Sequence, residues 1–242
     1  VYSSDREGFV GLLASMLSLS ANAKEPSQCT IHLIVSDDDM AHAESLVRCF
    51  GEELDSSRGV PTVLLHRLRA APLPLSNRKS GPVADVQQSF ARFYLHEYLP
   101  AAPRAVWLDY DTIVQSDIAP LYRKRMSHAI AAVPYERFNV YGTCSKTRDL
   151  QALLKRSGSS FNPGVMLVDL QRWRSGAIVR GLERWQRRTA GCGDMIPLNL
   201  AFQGAFDRLD WSWNVHPLGA QFMYVPAICM EYRAWEQLAS LS

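Results

Sequence analysis

Two hydrophobic periods alternate through the first half of the chain, and that alternation limits the fold more than any other feature. Short runs rich in β-branched residues, "CTIHLIVS", "TVLLHRLR" and "RAVWL", read as strands. Between them apolar residues recur at helical spacing. Phe9, Leu12, Leu13, Met16, Leu17 and Leu19 follow a strand tail, "VYSS". "DDDMAHAESLVRCFGEEL" opens with acids that suit a helix N-terminus, and "DVQQSFARFYLHEYLP" is stopped by Pro100. Strands separated by helices pair side by side through crossovers. The pattern therefore predicts an α/β fold, a single Rossmann-like domain with a mainly parallel central sheet flanked by helices. "AAPLPLSNRKSGP" reads as a loop. Further on, "HAIAAVP" and "NPGVMLVDL" read as strands and "QRWRSGAIVRGLERWQRR" as a helix interrupted near Gly176. "IPLNLAFQG" reads as a short helix closed by Gly204.

No repeat or linker divides the chain, and its 242 residues with 47% apolar content suffice for one large core, so residues 1–242 are expected to form one domain. A formal charge of +2 gives no reason to expect nucleic acid as a partner. No apolar stretch approaches the roughly 20 residues that span a bilayer, so no membrane segment is expected in this chain. Cys29, Cys49, Cys144, Cys192 and Cys229 include no CxxC and no Cys/His cluster at zinc spacing, and are expected to be buried thiols. The chain opens inside an apolar run without an initiator Met, so we expect a fragment of a longer chain.

Chemistry concentrates where the apolar run Ala105–Leu108 ends in Asp109-Tyr110-Asp111. In an open α/β sheet, ligands bind outside the carboxyl ends of the strands. Strand alternation places both carboxylates on one side unless the chain turns. Three readings are open. Two converging carboxylates suit Mg²⁺ or Mn²⁺ shared with substrate phosphates. An aspartyl-phosphate nucleophile with its acid partner also takes Asp-x-Asp after a strand, although Ile113 stands where Thr or Val is usual. A solvated strand-end turn is the third.

The surroundings select among them. "ARFYLHEYLPAAPRAVWLDYDTIVQSDIAPLY" resembles the central block of glycosyltransferase family 8. "VYSSDREGFVGLLASMLSLSANAKEP" is similar to that family's first strand and helix, "FNPGVMLVDLQRWR" to its Phe-Asn-Ser/Ala-Gly-Val block, and "DMIPLNLAFQGAFDRLDWSWNVHPLG" to its Asp-x-x-x-Leu-Asn and Trp-Asn segments. The blocks run in order from residue 1 to about residue 219, and resemble galacturonosyltransferase-like members more than glycogenin. The resemblance implies a GT-A fold and retaining transfer of a hexosyl or uronosyl group from a UDP-sugar to a glycan or polysaccharide acceptor. It also implies residence in the Golgi lumen as part of a longer anchored protein.

By the same resemblance Asp109 and Asp111 are metal ligands for Mn²⁺ or Mg²⁺ against the donor diphosphate. Ser3, Asp5, Arg92, Asp109, Tyr110, Asp111 and Gly164 contact the nucleotide sugar, and Asn162 and Asp194 serve the transferred sugar. This chain departs from the family pattern in several places. Tyr110 fills a place more often small or acidic, Arg6 and Glu7 replace Asp-Asn, and Pro163 replaces Ser or Ala, removing a backbone donor. Met195 stands where the family has Gln, and a thioether cannot act as a nucleophile, which favours front-face substitution. Asp194 reads equally as a helix N-cap. The family's closing His-x-x-Gly-x-x-Lys-Pro-Trp segment, with its third metal ligand, is not found in this chain. The alternative expectation is therefore a catalytically weak family-8-like protein that binds nucleotide sugar or glycan. A nucleotidyltransferase is disfavoured because no Gly-rich phosphate loop follows the first strand. The arginines at 172, 174, 180, 184, 187 and 188, with Trp173 and Trp185, form a basic stretch. It reads as a solvated helix face over two buried tryptophans, or as a docking surface for an acidic polysaccharide.

Overall fold

The computed structural model describes residues 1–69, 88–135, 152, 159–189 and 193–215. The loop expected at 70–82, the turn at His216 and the chain's last segment lie outside the described residues, as do Cys144, Cys192 and Cys229. The strands are β1 (Tyr2–Ser3), β2 (Thr30–Val35), β3 (Thr62–Arg67), β4 (Arg104–Leu108), β5 (Ile130–Pro134), β6 (Phe161–Asp169) and β7 (Asp207–Arg208). The helices are α1 (Phe9–Asn22), α2 (Met40–Glu52), α3 (Leu95–Tyr98), α4 (Ala119–Arg123), α5 (Leu170–Trp173), α6 (Ala177–Arg188) and α7 (Met195–Phe202). A 3₁₀ turn, Phe90–Tyr94, leads into α3, so the helix expected before Pro100 is wound more tightly where it carries Arg92.

Strands β1, β2 and β3 pair in parallel. The Leu108 N–H donates to the Val1 carbonyl at 3.0 Å and the Val1 nitrogen to the Val106 carbonyl at 2.7 Å, which carries the parallel run from β1 on to β4. Beyond β4 the direction reverses. Strand β6 is antiparallel to both β4 and β5, and β7 is parallel to β5. The parallel expectation therefore holds for the first half, and β6 runs against it.

Alternation along the strands feeds a core on each face of the sheet. Ala105 and Trp107 join Ile34, Phe90, Phe93, Trp173 and Phe202 on one face. Leu108, Leu33 and Leu167 join Leu12, Met16 and Phe50 of the two long helices on the other. Strand β6 is buried on both faces, which explains its unbroken apolar run. Gly176 at φ 73° breaks the α5–α6 segment as expected, and Gly204 at φ 81° follows a second left-handed residue, Gln203 at φ 46°. Two expectations are corrected. Cys49 is exposed on the solvent side of α2 and Cys29 is half-buried. Trp173 is buried, but Trp185 is only half-buried, with Arg188 stacked on it at 4.9 Å.

A second stripe on α1, unnoticed in the hydrophobic pattern, holds the chain that leaves β4. It consists of Gly8, Gly11, Ser15, Ser18 and Asn22, at alternating spacings of three and four residues. A Cβ on Gly8 would lie 3.0 Å from the Tyr110 ring, and one on Gly11 3.1 Å from the Tyr110 carbonyl. The Ser15 hydroxyl meets Thr112 Oγ1 at 3.0 Å, Ser18 Oγ accepts from the Val114 N–H at 2.9 Å, and Asn22 Nδ2 donates to the Val114 carbonyl at 2.9 Å. Gly181, inside α6, has nothing within 4 Å of its would-be Cβ. We expect Gly181→Ala to stabilise the protein by about 0.5–1 kcal/mol and Gly11→Val to destabilise it, both read as shifts in thermal midpoint. Equal shifts for the two variants would contradict the close approach at Gly11.

Candidate active site

The end of β4 is where the buried polar groups meet. Strand alternation puts Trp107 and Asp109 on one side, and Trp107 Nε1 donates to Asp109 Oδ1 at 2.7 Å. Asp109 also fixes the turn that follows, because its carbonyl accepts from the Thr112 N–H at 3.2 Å and the Thr112 hydroxyl at 2.8 Å. The chain does turn here, which is the exception to a shared strand face for the two aspartates. The chain leaves extended geometry after Leu108, and Asp111 lies on its exposed outer side.

Arg92 organises the carboxylates. Its side chain is 5% exposed, and Nη2 donates to Asp109 Oδ1 at 2.8 Å while Nη1 donates to the Pro163 carbonyl at 2.9 Å. The guanidinium lies 4.6 Å from the centre of the Trp107 ring. Its Nε lies 2.7 Å from Asp194 Oδ2, yet the Nε–H is directed at the Ser89 carbonyl, 3.1 Å away. That pair is therefore a charge contact without a hydrogen bond, and Asp194 Oδ2 is buried without a hydrogen-bonding donor. Asp194 occupies the N-cap position of α7, but its side chain makes no capping bond. Burial, which the Arg92 charge only partly offsets and the Asp109 charge reinforces, raises its carboxyl to about 6. Partial desolvation, followed by the charge of Asp109, also pushes the Asp111 carboxyl upward.

The reversed β6 brings its first residues to this point. Leu108 pairs with Val165, and the Asp109 N–H donates to the Gly164 carbonyl at 2.8 Å. Register against β5 breaks between Ala132 and Val133, opposite the stretch that holds Pro163, which has no N–H to give. The Asn162 Oδ1 accepts from the Gly164 N–H at 2.8 Å. A Cβ on Gly164 would lie 3.1 Å from Asn162 Oδ1, 3.2 Å from Asp109 Oδ2 and 3.4 Å from Asn214 Nδ2, so a side chain there would crowd all three.

The structure thus gathers Arg92, Asp109, Asp194, Asn162 and Gly164 at one point, with Asp111 on its rim. The other expected residues sit at the β1–α1 turn. Ser3 is buried and its hydroxyl donates to the Ile34 carbonyl at 2.9 Å. Asp5 is buried and its Oδ1 accepts from the Gly8 N–H at 3.0 Å. Tyr110 joins the two places, with its ring over Gly8 and 40% of its surface exposed. Sequence reasoning assigned nothing to Trp107, to the Pro163 carbonyl or to Asn199. Asn199 brackets Phe161 through Oδ1 from its N–H at 2.8 Å and Nδ2 to its carbonyl at 3.1 Å, and so fixes the start of β6. The alternation in "VWLD" carried a signal for Trp107, whereas a backbone carbonyl leaves none.

Carboxylate oxygens are the donor type that a hard divalent cation takes. Asp109, Asp111 and Asp194 bring three carboxylates to the neighbourhood of one cation, Arg92, and oxygen donors of this kind suit Mg²⁺ or Mn²⁺. Among the described residues no group of three or more His, Cys, Asp or Glu is placed to hold a metal by itself. A metal held by Asp109 and Asp111 would need further ligands from outside this group.

Comparison with known proteins points the same way. The sequence profile of glycosyl transferase family 8 matches residues 1–232. A probable galacturonosyltransferase-like 6 from Arabidopsis thaliana is 28% identical over 230 residues, which cover 89% of this chain and 64% of that protein. Glycosyltransferase 8 domain-containing protein 1 from Xenopus laevis is 29% identical over 239 residues, covering 87% and 64%. The chain thus spans a little under two thirds of the length of these relatives. The crystal structure of the galactosyltransferase LgtC superposes with a TM-score of 0.65 at 18% identity, covering 87% of this chain and 72% of that one. That likeness shows the fold, which is of the GT-A type.

Two results are expected from the arrangement. Arg92→Ala strips the counter-charge from two carboxylates and should destabilise the fold by about 3–5 kcal/mol, measured by urea unfolding. Asp194→Asn tests the raised carboxyl. Between the unfolded value near 3.8 and the folded value of about 6 the native state holds a proton that the unfolded state has lost, so the wild type loses stability as pH rises through that window. In EDTA, the thermal midpoint of the Asn variant relative to wild type should climb from pH 4 to pH 7 and then level. A pH-independent difference would exclude the assignment.

Proposed function

The chain belongs to glycosyl transferase family 8, and from that membership we propose that it is a retaining glycosyltransferase that moves a hexosyl or uronosyl group from a UDP-sugar to a glycan acceptor. The observation that carries this reading is the buried Arg92, tied to both Asp109 and Asp194 where β4 and β6 meet. In the proposal residues 1–242 form one catalytic domain, supported by a family match that runs through residue 232. No helix among the described residues is long and apolar enough to cross a membrane. A Golgi lumenal setting belongs to the proposal.

Asp109 and Asp111 would hold Mn²⁺ or Mg²⁺, and a bound metal would neutralise charge on the departing diphosphate. Arg92 is 5% exposed and tied to Asp109 and to the Pro163 and Ser89 carbonyls. It acts as a positioning residue that fixes Asp109 through Nη2 and Asp194 by charge. Asn162 Oδ1 accepts from the Gly164 N–H, and its Nδ2 would donate to oxygens of the transferred sugar. The absent side chain of Gly164 leaves room there. Asp194, as a carboxylate, stabilises positive charge developing on that sugar. Met195 cannot form a covalent intermediate, so the reaction proceeds on one face. The bond from the anomeric carbon to the diphosphate oxygen breaks, the acceptor hydroxyl oxygen attacks from the same side, and its proton passes to a phosphate oxygen of the leaving UDP.

UDP release across a panel of UDP-sugars, with and without Mn²⁺, tests the reading. Release should require the metal and fall by about 10²–10³ in Asp109→Ala with Asp111→Ala. Turnover independent of metal, or surviving that double change, would overturn the metal clamp. A second reading, binding without turnover, is favoured by Met195, and calorimetric binding of UDP-sugars without UDP release would select it.

A further inference from the structure

Helix α6 concentrates charge in a way that helix stability does not explain. Arg180, Arg184, Arg187 and Arg188 are all exposed, and at about 100° per residue they leave the helix within an arc of about 100°. Leu182 and Gln186, on the opposite side, are buried, and Ile178 and Val179 pack against the core. Four arginines against Glu183 alone give this helix three surplus positive charges, more than the +2 of the entire chain.

Arg187 and Arg188 suit the negative end of the helix dipole, but Arg180 and Arg184 have no such account. Arg180 lies close to the positive end, where the first turn carries no acid, and its Nη1 folds back to within 2.9 Å of a Cβ placed on Gly176. Arg184 stands four residues from both Arg180 and Arg188, a spacing at which like charges repel. Neither Arg180 nor Arg184 pairs with an acid among the described residues. The helix's single acid is already engaged, accepting from the Tyr94 hydroxyl at 3.1 Å and lying 3.6 Å from Arg187. Beside the stripe, Arg188 stacks on the half-buried Trp185. A sequence that accepts this repulsion on one exposed face is built for negative charge from outside.

We propose that the α6 arginine face docks a carboxylate-bearing polysaccharide. Arg180 to Arg188 spans about 12 Å, so the stripe fits an extended chain of repeated negative charges better than a single anion. Arginine forks pair with carboxylates in two-pronged fashion, and an arginine-backed indole offers an apolar edge to a sugar ring. The helix cannot insert in a membrane, because its apolar side is spent on the core, and a net charge of +2 over the chain gives little general attraction to nucleic acid. The face also adjoins the candidate site. The Tyr94–Glu183 bond ties α6 to the turn that carries Arg92, and α6 packs on α7, which begins beside Asp194. Choosing a glycan as occupant rests on the glycosyl-transfer reading, whereas the charged face does not.

The test is biolayer interferometry of the whole chain, without donor or metal, on immobilised polygalacturonate. Its fully methyl-esterified form, single-stranded RNA and phosphatidylserine vesicles serve as comparisons. Binding to polygalacturonate should be about tenfold or more tighter than to the ester. It should weaken by at least about tenfold in R180Q/R184Q/R188Q and recover in part in the matching lysine triple variant, with thermal midpoints showing that both are folded. Asp111→Ala, which leaves the Arg92–Asp109 pair intact, should bind like wild type, so a failed UDP-release assay and a failed docking face remain separate results. Equal affinity for acid and ester, no loss in the glutamine variant, no binding at all, or a preference for RNA or vesicles would overturn the proposal.

Discussion

A guanidinium cut off from water must find its partners inside the protein, and the candidate site is arranged around that requirement. Arg92 reaches the Asp109 carboxylate, the Pro163 and Ser89 carbonyls, the Trp107 ring and the Asp194 charge. These partners belong to the 3₁₀ turn itself, β4, β6 and the start of α7. One cation thus fixes how several elements meet. The arrangement is stable only while the charges stay matched, because an unpaired buried charge costs far more than a paired one gains. Asp194 carries the remaining imbalance as a raised carboxyl, near enough to Arg92 for attraction yet without a hydrogen bond.

Two further devices hold the site. Strand β6 runs against its neighbours, so its beginning, rather than its end, lies at the carboxyl end of β4. That reversal is what lets Asn162, Pro163 and Gly164 face Asp109. The stripe of small and hydroxyl residues on α1 receives the chain after β4. Glycines admit Tyr110 closely, and serines and an asparagine satisfy the backbone polar groups of a segment that lies in no sheet. The turn after β4 is therefore braced from behind, and the exposed Asp111 sits on a supported loop.

Much of the fold was legible because local sterics and burial act over a few residues. "RAVWL" matched β4 residue for residue, Gly176 broke the helix where a left-handed conformation was needed, and Leu12, Met16 and Leu19 pointed inward as their spacing required. Other features escaped for physical reasons. The stripe beginning at Gly8 and Gly11 carries no hydrophobic signal. The Pro163 carbonyl is invisible in side-chain chemistry, and the proline, noted for the donor it lacks, matters for the acceptor it keeps. Whether Asp109 and Asp111 share a face was open to a turn, and the turn depends on the Asp109 carbonyl taking the Thr112 N–H and hydroxyl, which strand alternation does not encode.

By itself the sequence determined the order of the principal strands and helices, the two aspartates at a strand end and the charged side of α6. Each of these follows from periodicity, and periodicity is a property of a segment. The tertiary structure alone decided that β6 is reversed, that Leu108 stands opposite Val165, and that one arginine serves two carboxylates. Those facts depend on register between segments tens of residues apart, which no local pattern encodes, because register is set by how whole faces fit together in the core.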